Sequence, residues 1–167
     1  RVRDYYSYLW ARQRGVDATS VLDDMPRSLS QDILMFLNRD AVGKVELFQG
    51  SDDLLLREAV RLLRPKVFLP GEHIIRQGEY GDCMYFLTSG EVRVSADGSE
   101  IARLGPGSPF GETALLENLH RNADVVSESY STGYQLTKSD FDALRSRYPE
   151  FDQRVKAVAE RRRRTLL

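Results

Sequence analysis

The residues whose types and spacing could bind a charged ligand lie between positions 106 and 123. A turn-forming sequence, PGSPFG, runs into the short apolar segment ETALL, which predicts a helix of about one or two turns. The first backbone N–H groups of such a helix have no intrahelical partner, and the helix dipole places partial positive charge there. Because Gly111 allows the backbone to approach a ligand closely, we expect residues 110–114 to form an anion-binding turn.

Arg121 and Glu112 supply the side-chain charges of this region. The guanidinium of Arg121 is planar, permanently charged and suited to the oxygens of a phosphate. The carboxylate of Glu112 would repel a phosphate, but it can accept a hydrogen bond from a hydroxyl, as acidic residues do with a ribose 2′-OH. A phosphate and a ribose hydroxyl held side by side indicate a compact nucleotide. The alternative is a surface loop that carries Gly, Glu and Arg without binding anything.

Composition and charge exclude several classes of protein. The 167 residues are 41% hydrophobic and 29% charged, which is typical of a soluble globular protein with one domain and an extension, or two small domains. The 24 basic and 25 acidic residues leave a net charge of −1, which indicates neither nucleic acid nor an anionic membrane as a partner. The single cysteine, Cys83, excludes an internal disulfide and fits a reducing compartment.

Neither catalysis nor a metal site is predicted. Glu112 and Arg121 could be drawn as an acid/base pair for phosphodiester cleavage, but the sequence places no nucleophile beside a base and no histidine among these residues. His73 and His120 have no partners at metal-ligand spacing. We therefore expect a site that holds its ligand intact, without a cofactor, in a protein that is not an enzyme.

Residues 1 to about 63 are predicted to be helical, because apolar residues recur at three- and four-residue spacing. Ser51 is the predicted N-cap of the last of these helices. The predicted core face of that helix consists of Leu54, Leu55, Ala59, Leu62 and Leu63. Near the start of the chain, the aromatic cluster Tyr5, Tyr6, Tyr8 and Trp10 indicates core or interface packing rather than a cofactor site.

From Lys66 onwards, short β-rich runs alternate with glycines, as in an antiparallel barrel or roll. The predicted strands contain Ile74-Ile75, Met84–Leu87, Val92–Val94, Ile101–Leu104, Asp124–Ser127 and Tyr134–Leu136. Asp97-Gly98 predicts a two-residue hairpin. Ser139 is predicted to cap the next helix, and Pro149 separates it from a final helix. The predicted class is α+β, with N-terminal helices, a jelly-roll-like antiparallel roll, a short helix inside it and two C-terminal helices.

The sequence FGETALL at 110–116, followed by Arg121-Asn122-Ala123, closely resembles the phosphate-binding cassette of cyclic nucleotide-binding domains. In that family the cassette helix and the arginine hold the cyclic phosphate, and the glutamate holds the 2′-OH. The resemblance implies these roles for residues 111–114, Arg121 and Glu112. Asn122 departs from the Thr or Ser that is frequent there. Because an amide both donates and accepts, phosphate contact is retained but the choice between cAMP and cGMP is left open.

The order of elements along the whole chain resembles the cytoplasmic end of cyclic nucleotide-gated and HCN-type channels, where a helical C-linker precedes the binding domain. The linker resemblance rests on DYY at 4–6, VLDDMPR at 21–27, LNR at 37–39 and KVELF at 44–48. It implies that residues 1–50 are a partial C-linker whose first helix precedes Arg1, and that residues 51–167 are the cyclic nucleotide-binding domain. A prokaryotic channel is expected.

The resemblance adds an apolar wall and a lid to the expected site. Val94, Ala102 and Leu104 align with the wall beneath the purine, although they would serve equally as roll core. Arg162 and Leu166 fall where lid residues meet the base, although residues 161–164 are otherwise an ordinary solvated basic run. The complete predicted ligand site is Phe110, Gly111, Glu112, Thr113, Ala114, Arg121, Asn122, Ala123, Val94, Ala102, Leu104, Arg162 and Leu166.

The implied function is a cytoplasmic regulatory module that binds cAMP or cGMP and couples binding to the gating of a tetrameric cation channel, with potassium as the expected ion. The implied partners are the nucleotide and neighbouring subunits of a homotetramer in the plasma or inner membrane. Two alternatives are left open: a cyclic-nucleotide-dependent transcription regulator lacking its DNA-binding domain, and an interaction module that has lost nucleotide binding. Six hydrophobic spans upstream would favour the channel, and a helix-turn-helix downstream the regulator.

Overall fold

Antiparallel strands form two four-stranded sheets in the computed structural model, which describes Pro26, Leu29, Ile33 and residues 38–117 and 119–165. The strands are β1 (Arg64–Phe68), β2 (His73–Ile75), β3 (Cys83–Ser89), β4 (Val92–Ala96), β5 (Ser99–Leu104), β6 (Pro109–Phe110), β7 (Asp124–Ser127) and β8 (Ser131–Thr137). One sheet has the order β1-β8-β3-β6 and the other the order β2-β7-β4-β5. This arrangement is the predicted antiparallel roll.

Helices precede, interrupt and follow the roll. Residues 38–43 are helical and lead into a 3-10 helix, Glu46–Phe48. The α-helices whose bounds are described are α1 (Asp53–Leu62), α2 (Glu112–Glu117), α3 (Lys138–Arg147) and α4 (Pro149–Thr165). The predicted α+β class is therefore confirmed, including the short helix inside the roll. Most of the predicted helices before residue 38, with the aromatic cluster at residues 5–10, lie outside the described residues.

The N-caps of α1 and α3 differ from the predicted ones. Asp52, not Ser51, caps α1, and its carboxylate accepts a hydrogen bond from the Leu55 backbone N–H at 2.8 Å. Thr137, not Ser139, caps α3, and its hydroxyl accepts from the Asp140 N–H at 3.4 Å. In both cases the capping residue has extended backbone dihedrals, which aim its side-chain oxygen at the free N–H groups of the first turn.

The main core lies between the helices and the sheet that contains β3 and β8. Phe48 of the 3-10 helix packs against Phe86 of β3 and Phe151 of α4, with ring centroids 5.5 Å apart in both pairs. On α1, Leu55 and Ala59 are fully buried in this cluster. The prediction for Leu54 is wrong, because its side chain is 68% exposed on the opposite face of the helix.

A second apolar cluster lies between the two sheets and supports the region predicted to bind the ligand. Its buried members are Ile75, Leu87, Val92, Phe110 and Val125. The predicted hairpin joins β4 to β5, and both Asp97 (φ 52°) and Gly98 (φ 80°) have the left-handed dihedrals that a tight two-residue turn requires. The sequence did not predict β1, because this strand lies at the edge of its sheet and is mostly exposed.

Gly133 in β8 should be intolerant of any side chain. A Cβ atom there would lie 2.0 Å from the Phe86 carbonyl oxygen on the neighbouring strand β3. We expect Gly133→Ala to lower the free energy of unfolding by about 2–3 kcal/mol, because the two strands must separate locally. Gly105→Ala is the matched control, since no atom of the described residues lies within 4 Å of its added Cβ. Equal urea midpoints for the two variants would contradict the close packing of β3 against β8.

Candidate functional site

One pocket contains every predicted ligand residue that the structure describes. It encloses about 840 Å³, including its open mouth, between the β2-β7-β4-β5 sheet, the segment from β6 to α2, and the C-terminal end of α4. The predicted residues that line it are Val94, Ala102, Leu104, Phe110, Gly111, Glu112, Thr113, Ala114, Arg121, Asn122, Ala123 and Arg162. Leu166 lies outside the described residues.

Arg121 is buried beside the N-terminus of α2 and is held by backbone carbonyls. Its side chain is 6% exposed, and it donates to the Gly111 carbonyl at 2.9 Å and to the Cys83 carbonyl at 2.5 Å. The exposed Asp82 carboxylate lies 3.6 Å from the same guanidinium. These contacts fix a permanent positive charge next to the unpaired N–H groups of the first helical turn.

Gly111 is required at this place for two reasons. Its φ of +87° is a conformation that residues with side chains rarely adopt. In addition, a Cβ atom on Gly111 would lie only 2.8 Å from the Arg121 Nη1 atom. The glycine therefore both turns the chain into α2 and allows the guanidinium to lie directly against the backbone.

Glu112 is a buried carboxylate, 1% exposed, that is paired with Arg162 of α4. Arg162 Nη1 lies 2.7 Å from both carboxylate oxygens, and Arg162 Nη2 donates to the Pro109 carbonyl. The Thr113 hydroxyl donates to Glu112 Oε1 at 3.3 Å. The residue expected to hold a ribose hydroxyl and the residue expected to act as a lid thus contact each other. The ion pair ties the end of α4 to the start of α2.

The apolar wall of the pocket is formed by β4, β5, β2 and β7. Val94 pairs with Ala102 and Ser95 with Glu100, so Ile101 has no direct partner in the β4–β5 register. This β-bulge places Ile101 in the pocket lining together with Ala102. Sequence reasoning missed Ile101 because composition gives no signal for a bulge.

Three further lining residues were missed: Ile75, Val125 and Thr165. Ile75 and Val125 face each other on the paired strands β2 and β7, and only the strand pairing brings them to the site. Thr165 follows Arg162 by three residues on α4, so helical spacing could have identified it.

Tyr85 supports the segment leading into α2 and carries the clearest pKa change near the site. Its ring stacks on Phe110 with centroids 5.4 Å apart, and the Cys83 thiol contacts its hydroxyl at 3.3 Å. Burial, reinforced by the Cys83 contact, raises the pKa of the Tyr85 phenol well above its usual range. The phenol is therefore neutral at physiological pH and adds no negative charge beside Arg121.

Two further observations concern metal ligands and membrane-spanning helices. Across residues 38–117 and 119–165, no group of three or more His, Cys, Asp or Glu side chains could hold a metal ion. Within the same described part of the chain, no helix is long and apolar enough to cross a bilayer.

What the pocket offers chemically is a fixed guanidinium, a buried carboxylate and an apolar wall. This arrangement is suited to binding an amphipathic anion.

Comparisons with known proteins agree with this geometry. The sequence profile of the family described as "Cyclic nucleotide-binding domain" matches residues 65–148. Cyclic nucleotide-gated channel alpha-3 of Homo sapiens is 35% identical over 175 aligned positions, covering 100% of this chain and 25% of that protein. Cyclic nucleotide-gated channel alpha-2 of Bos taurus is 34% identical and covers 100% of this chain and 26% of that protein.

A third relative, cyclic nucleotide-gated channel beta-1 of Homo sapiens, is 32% identical over 167 positions, covering 96% of this chain and 13% of that protein. The chain therefore spans about a quarter or less of the length of these three relatives. The alignments to the alpha-type relatives extend across the residues that precede the roll as well as across the roll itself.

The buried pair between Glu112 and Arg162 should contribute to stability. Arg162→Met would leave the Glu112 carboxylate buried without a counter-charge, and we expect the free energy of unfolding to fall by about 1–3 kcal/mol. This is less than for a fully buried pair, because the Arg162 side chain is 26% exposed. Adding Glu112→Gln should recover most of the loss, since a neutral amide needs no counter-charge.

The control for this measurement is Arg164→Met. Arg164 is 78% exposed, and its one ion pair among the described residues is with Glu160 on its own helix, at 3.4 Å, so its loss should cost less than about 0.5 kcal/mol. Urea unfolding of the unmodified protein, Arg162→Met, Arg162→Met with Glu112→Gln, and Arg164→Met measures these differences in the free energy of unfolding. Indistinguishable midpoints for Arg162→Met and Arg164→Met would show that the buried pair adds nothing.

Proposed function

The chain belongs to the cyclic nucleotide-binding domain family, and from this premise we propose that it binds cAMP or cGMP in the pocket between the roll and α4. Its relatives are cyclic nucleotide-gated channels, so it is a regulatory binding domain and not an enzyme. The single observation that carries the proposal is that one pocket holds a buried guanidinium, Arg121, and a buried carboxylate, Glu112, with Arg121 bound to the carbonyl of Gly111, the residue before Glu112.

The proposed binding mode follows from the charges of the pocket. The cyclic phosphate would lie against Arg121 and the first N–H groups of α2, where both the side-chain charge and the backbone dipoles favour an anion. The ribose 2′-OH would donate to Glu112. The purine would then lie over the apolar wall formed by Val94, Ala102 and Leu104. No cofactor is needed for this mode, because the chain supplies each of these contacts itself.

The lid role of α4 is supported by the contact of Arg162 with Glu112. A purine in the pocket would offer Arg162 a flat π surface, so the same guanidinium could pair with the carboxylate and stack on the base. Leu166, four residues further along the chain, is proposed as the apolar cover of the base. Such contacts exist only when α4 lies over the pocket, which is the differential interaction that a ligand-driven shift of this helix requires.

Asn122 is proposed to influence the choice of nucleotide. It lines the pocket directly after Arg121 and can both donate and accept hydrogen bonds. Its amide N–H could donate to a phosphate oxygen, and its amide oxygen could accept from the amino group of guanine. Titration of the unmodified protein and of Asn122→Thr with cAMP and cGMP would measure the preference and its dependence on this residue.

The channel role is proposed from the relatives. We propose that residues 1–50 form a helical C-linker, that residues 51–167 form the binding domain, and that the whole protein is a cation channel, with potassium as its ion. In this proposal the domain lies on the cytoplasmic side of the plasma or inner membrane. The alignments over the full length of this chain support the channel over a transcription regulator. Patch recordings of the full-length protein with cAMP or cGMP applied to the inner face would test this.

Arg121→Ala should weaken cyclic nucleotide binding strongly. Removing the buried cation that faces the phosphate is expected to cost about 2–4 kcal/mol of binding free energy. Isothermal titration with cAMP measures the loss. Because Arg121 also holds the Cys83 and Gly111 carbonyls, circular dichroism must first show that the variant is folded.

Arg103→Ala is the matched control for Arg121→Ala. Arg103 is 49% exposed on β5 and pairs with Glu100 at 2.7 Å, so removing it takes away the same charge without touching the pocket lining. We expect its affinity for cAMP to stay within about twofold. A folded Arg121→Ala protein with affinity within about threefold of the unmodified chain would rule out the phosphate role.

Assembly provides a separate prediction. If the protein is a channel of this kind, neighbouring subunits should surround a four-fold axis, and the proposed C-linker should mediate contacts between them. We expect the full-length protein in detergent to have the mass of a tetramer by multi-angle light scattering. A stable dimer would count against the channel and in favour of a regulator.

A further inference from the structure

Four consecutive arginines, residues 161–164 at the end of α4, each pair with a different carboxylate. Arg161 lies 2.7 Å from Glu46 of the 3-10 helix, and Arg162 lies 2.7 Å from Glu112 of α2. Arg163 pairs with Glu117 at the end of α2, and Arg164 pairs with Glu160 on α4 itself. The run is therefore not the simple solvated basic face that its composition indicates.

The directions of these pairs follow from helix geometry. Successive residues of an α-helix are rotated by about 100°, so three neighbouring side chains point in three different directions. Arg161 points to the 3-10 helix, Arg162 into the pocket, and Arg163 along α2. The end of α4 is thus held on two sides by exposed pairs while its central arginine enters the pocket.

This arrangement resolves an ambiguity that the sequence creates. All four side chains are arginines, and the buried carboxylate of Glu112 could be satisfied by the guanidinium of any of them. The buried Val155 and Val158 prevent the whole of α4 from rotating, but a rotation of its last turn by about 100° with a shift of about 1.5 Å would bring a neighbouring arginine to Glu112. Glu46 and Glu117 oppose that shift, because it would move Arg161 and Arg163 away from their own partners.

We infer that Arg161 and Arg163 are positioning residues, which set the rotation of the last turn of α4, beyond the buried apolar face of the helix, so that Arg162 is the arginine that reaches the pocket. The inference rests on the proposed function, since the pocket is taken to bind a cyclic nucleotide beneath Arg162. Their pairs with Glu46 and Glu117 are exposed, with Arg161 60% and Glu46 39% accessible, so each pair contributes modestly and is weakened by salt.

The pair between Arg161 and Glu46 also joins the lid to the segment before the roll. The Glu46 backbone N–H donates to the Gly107 carbonyl at 3.0 Å, in the turn that leads towards α2. On the same face of α4, Arg154 donates to the Ser51 hydroxyl at 2.8 Å and to the Leu47 carbonyl at 3.3 Å. The position of α4 is therefore set jointly by the pocket and by the helical segment that precedes the roll.

The test first reverses the charge of Arg161 alone, and then reverses the charges of Arg161 and Glu46 together. In the Arg161→Glu protein, repulsion from Glu46 should weaken cAMP affinity about three- to tenfold at low salt. The double variant Arg161→Glu with Glu46→Arg should restore affinity to within about twofold. Arg164→Glu is the matched control, because it changes the net charge equally on the same helix, while Arg164 forms its ion pair with Glu160 of that helix and with no other described carboxylate.

The same reversal in an Arg162→Ala background separates positioning from general stability. If Arg161 acts through Arg162, Arg161→Glu should change cAMP affinity by less than about 1.5-fold once Arg162 is absent. An equal loss in both backgrounds, or a swap that fails to restore affinity, would overturn the inference. So would an Arg164→Glu protein that loses as much affinity as Arg161→Glu.

A measurement without nucleotide keeps this inference separate from the proposed function. Hydrogen exchange at the amides of residues 158–165 should be about three- to tenfold faster in Arg161→Glu than in the unmodified protein, and should return in the swapped double variant. If the unmodified chain fails to bind cAMP, the proposed function fails and this exchange experiment alone decides the positioning role. Unchanged exchange in Arg161→Glu would overturn it.

Discussion

The burial of one carboxylate determines how the rest of the structure is arranged. Glu112 is 1% exposed at the start of a six-residue helix, and an unpaired carboxylate in such a place would be strongly destabilising. Its counter-charge, Arg162, comes from a residue 50 positions later in the chain. After Glu112, the chain must therefore complete the roll with β7 and β8, form α3 and run along α4 before Arg162 can neutralise this charge.

The aromatic core provides the rigid support for that return. Phe151 at the start of α4 stacks on Phe48 of the 3-10 helix and meets Phe141 of α3 edge-on, with ring centroids 5.5 and 6.1 Å apart. These rings fix the base of α4 on the same side of the sheet as the segment before the roll. The far end of the helix is then held by ion pairs, which depend on geometry and salt more steeply than apolar packing does. The helix thus has a firmly packed base and an end that is held by ion pairs.

Without the family resemblance, the residues themselves predict only the part of the site that lies in one stretch of the chain, from Phe110 to Ala123. Glu112 follows Gly111 directly, and one short stretch of sequence predicts the turn, the helix and the charged groups that could bind an anion. The partner of Glu112 could not be predicted in this way, because composition presents Arg162 as one of four equivalent arginines. Long-range pairing also determines the bulge at Ile101. The exposed Leu54 shows the same limit, since an apolar residue in a helix start can face solvent.

The pairing of Glu112 also constrains how a ligand and the lid could act on each other. A carboxylate has about four lone-pair positions, and Arg162 Nη1 and the Thr113 hydroxyl do not occupy all of them. A ribose hydroxyl is a weaker partner than a guanidinium, so it would add to the Arg162 contact rather than replace it. Ligand and lid would then share one buried charge, and each would strengthen the arrangement that the other requires. By linkage, if a bound nucleotide stabilises the docked position of α4 by a given free energy, docking of α4 strengthens nucleotide binding by the same free energy.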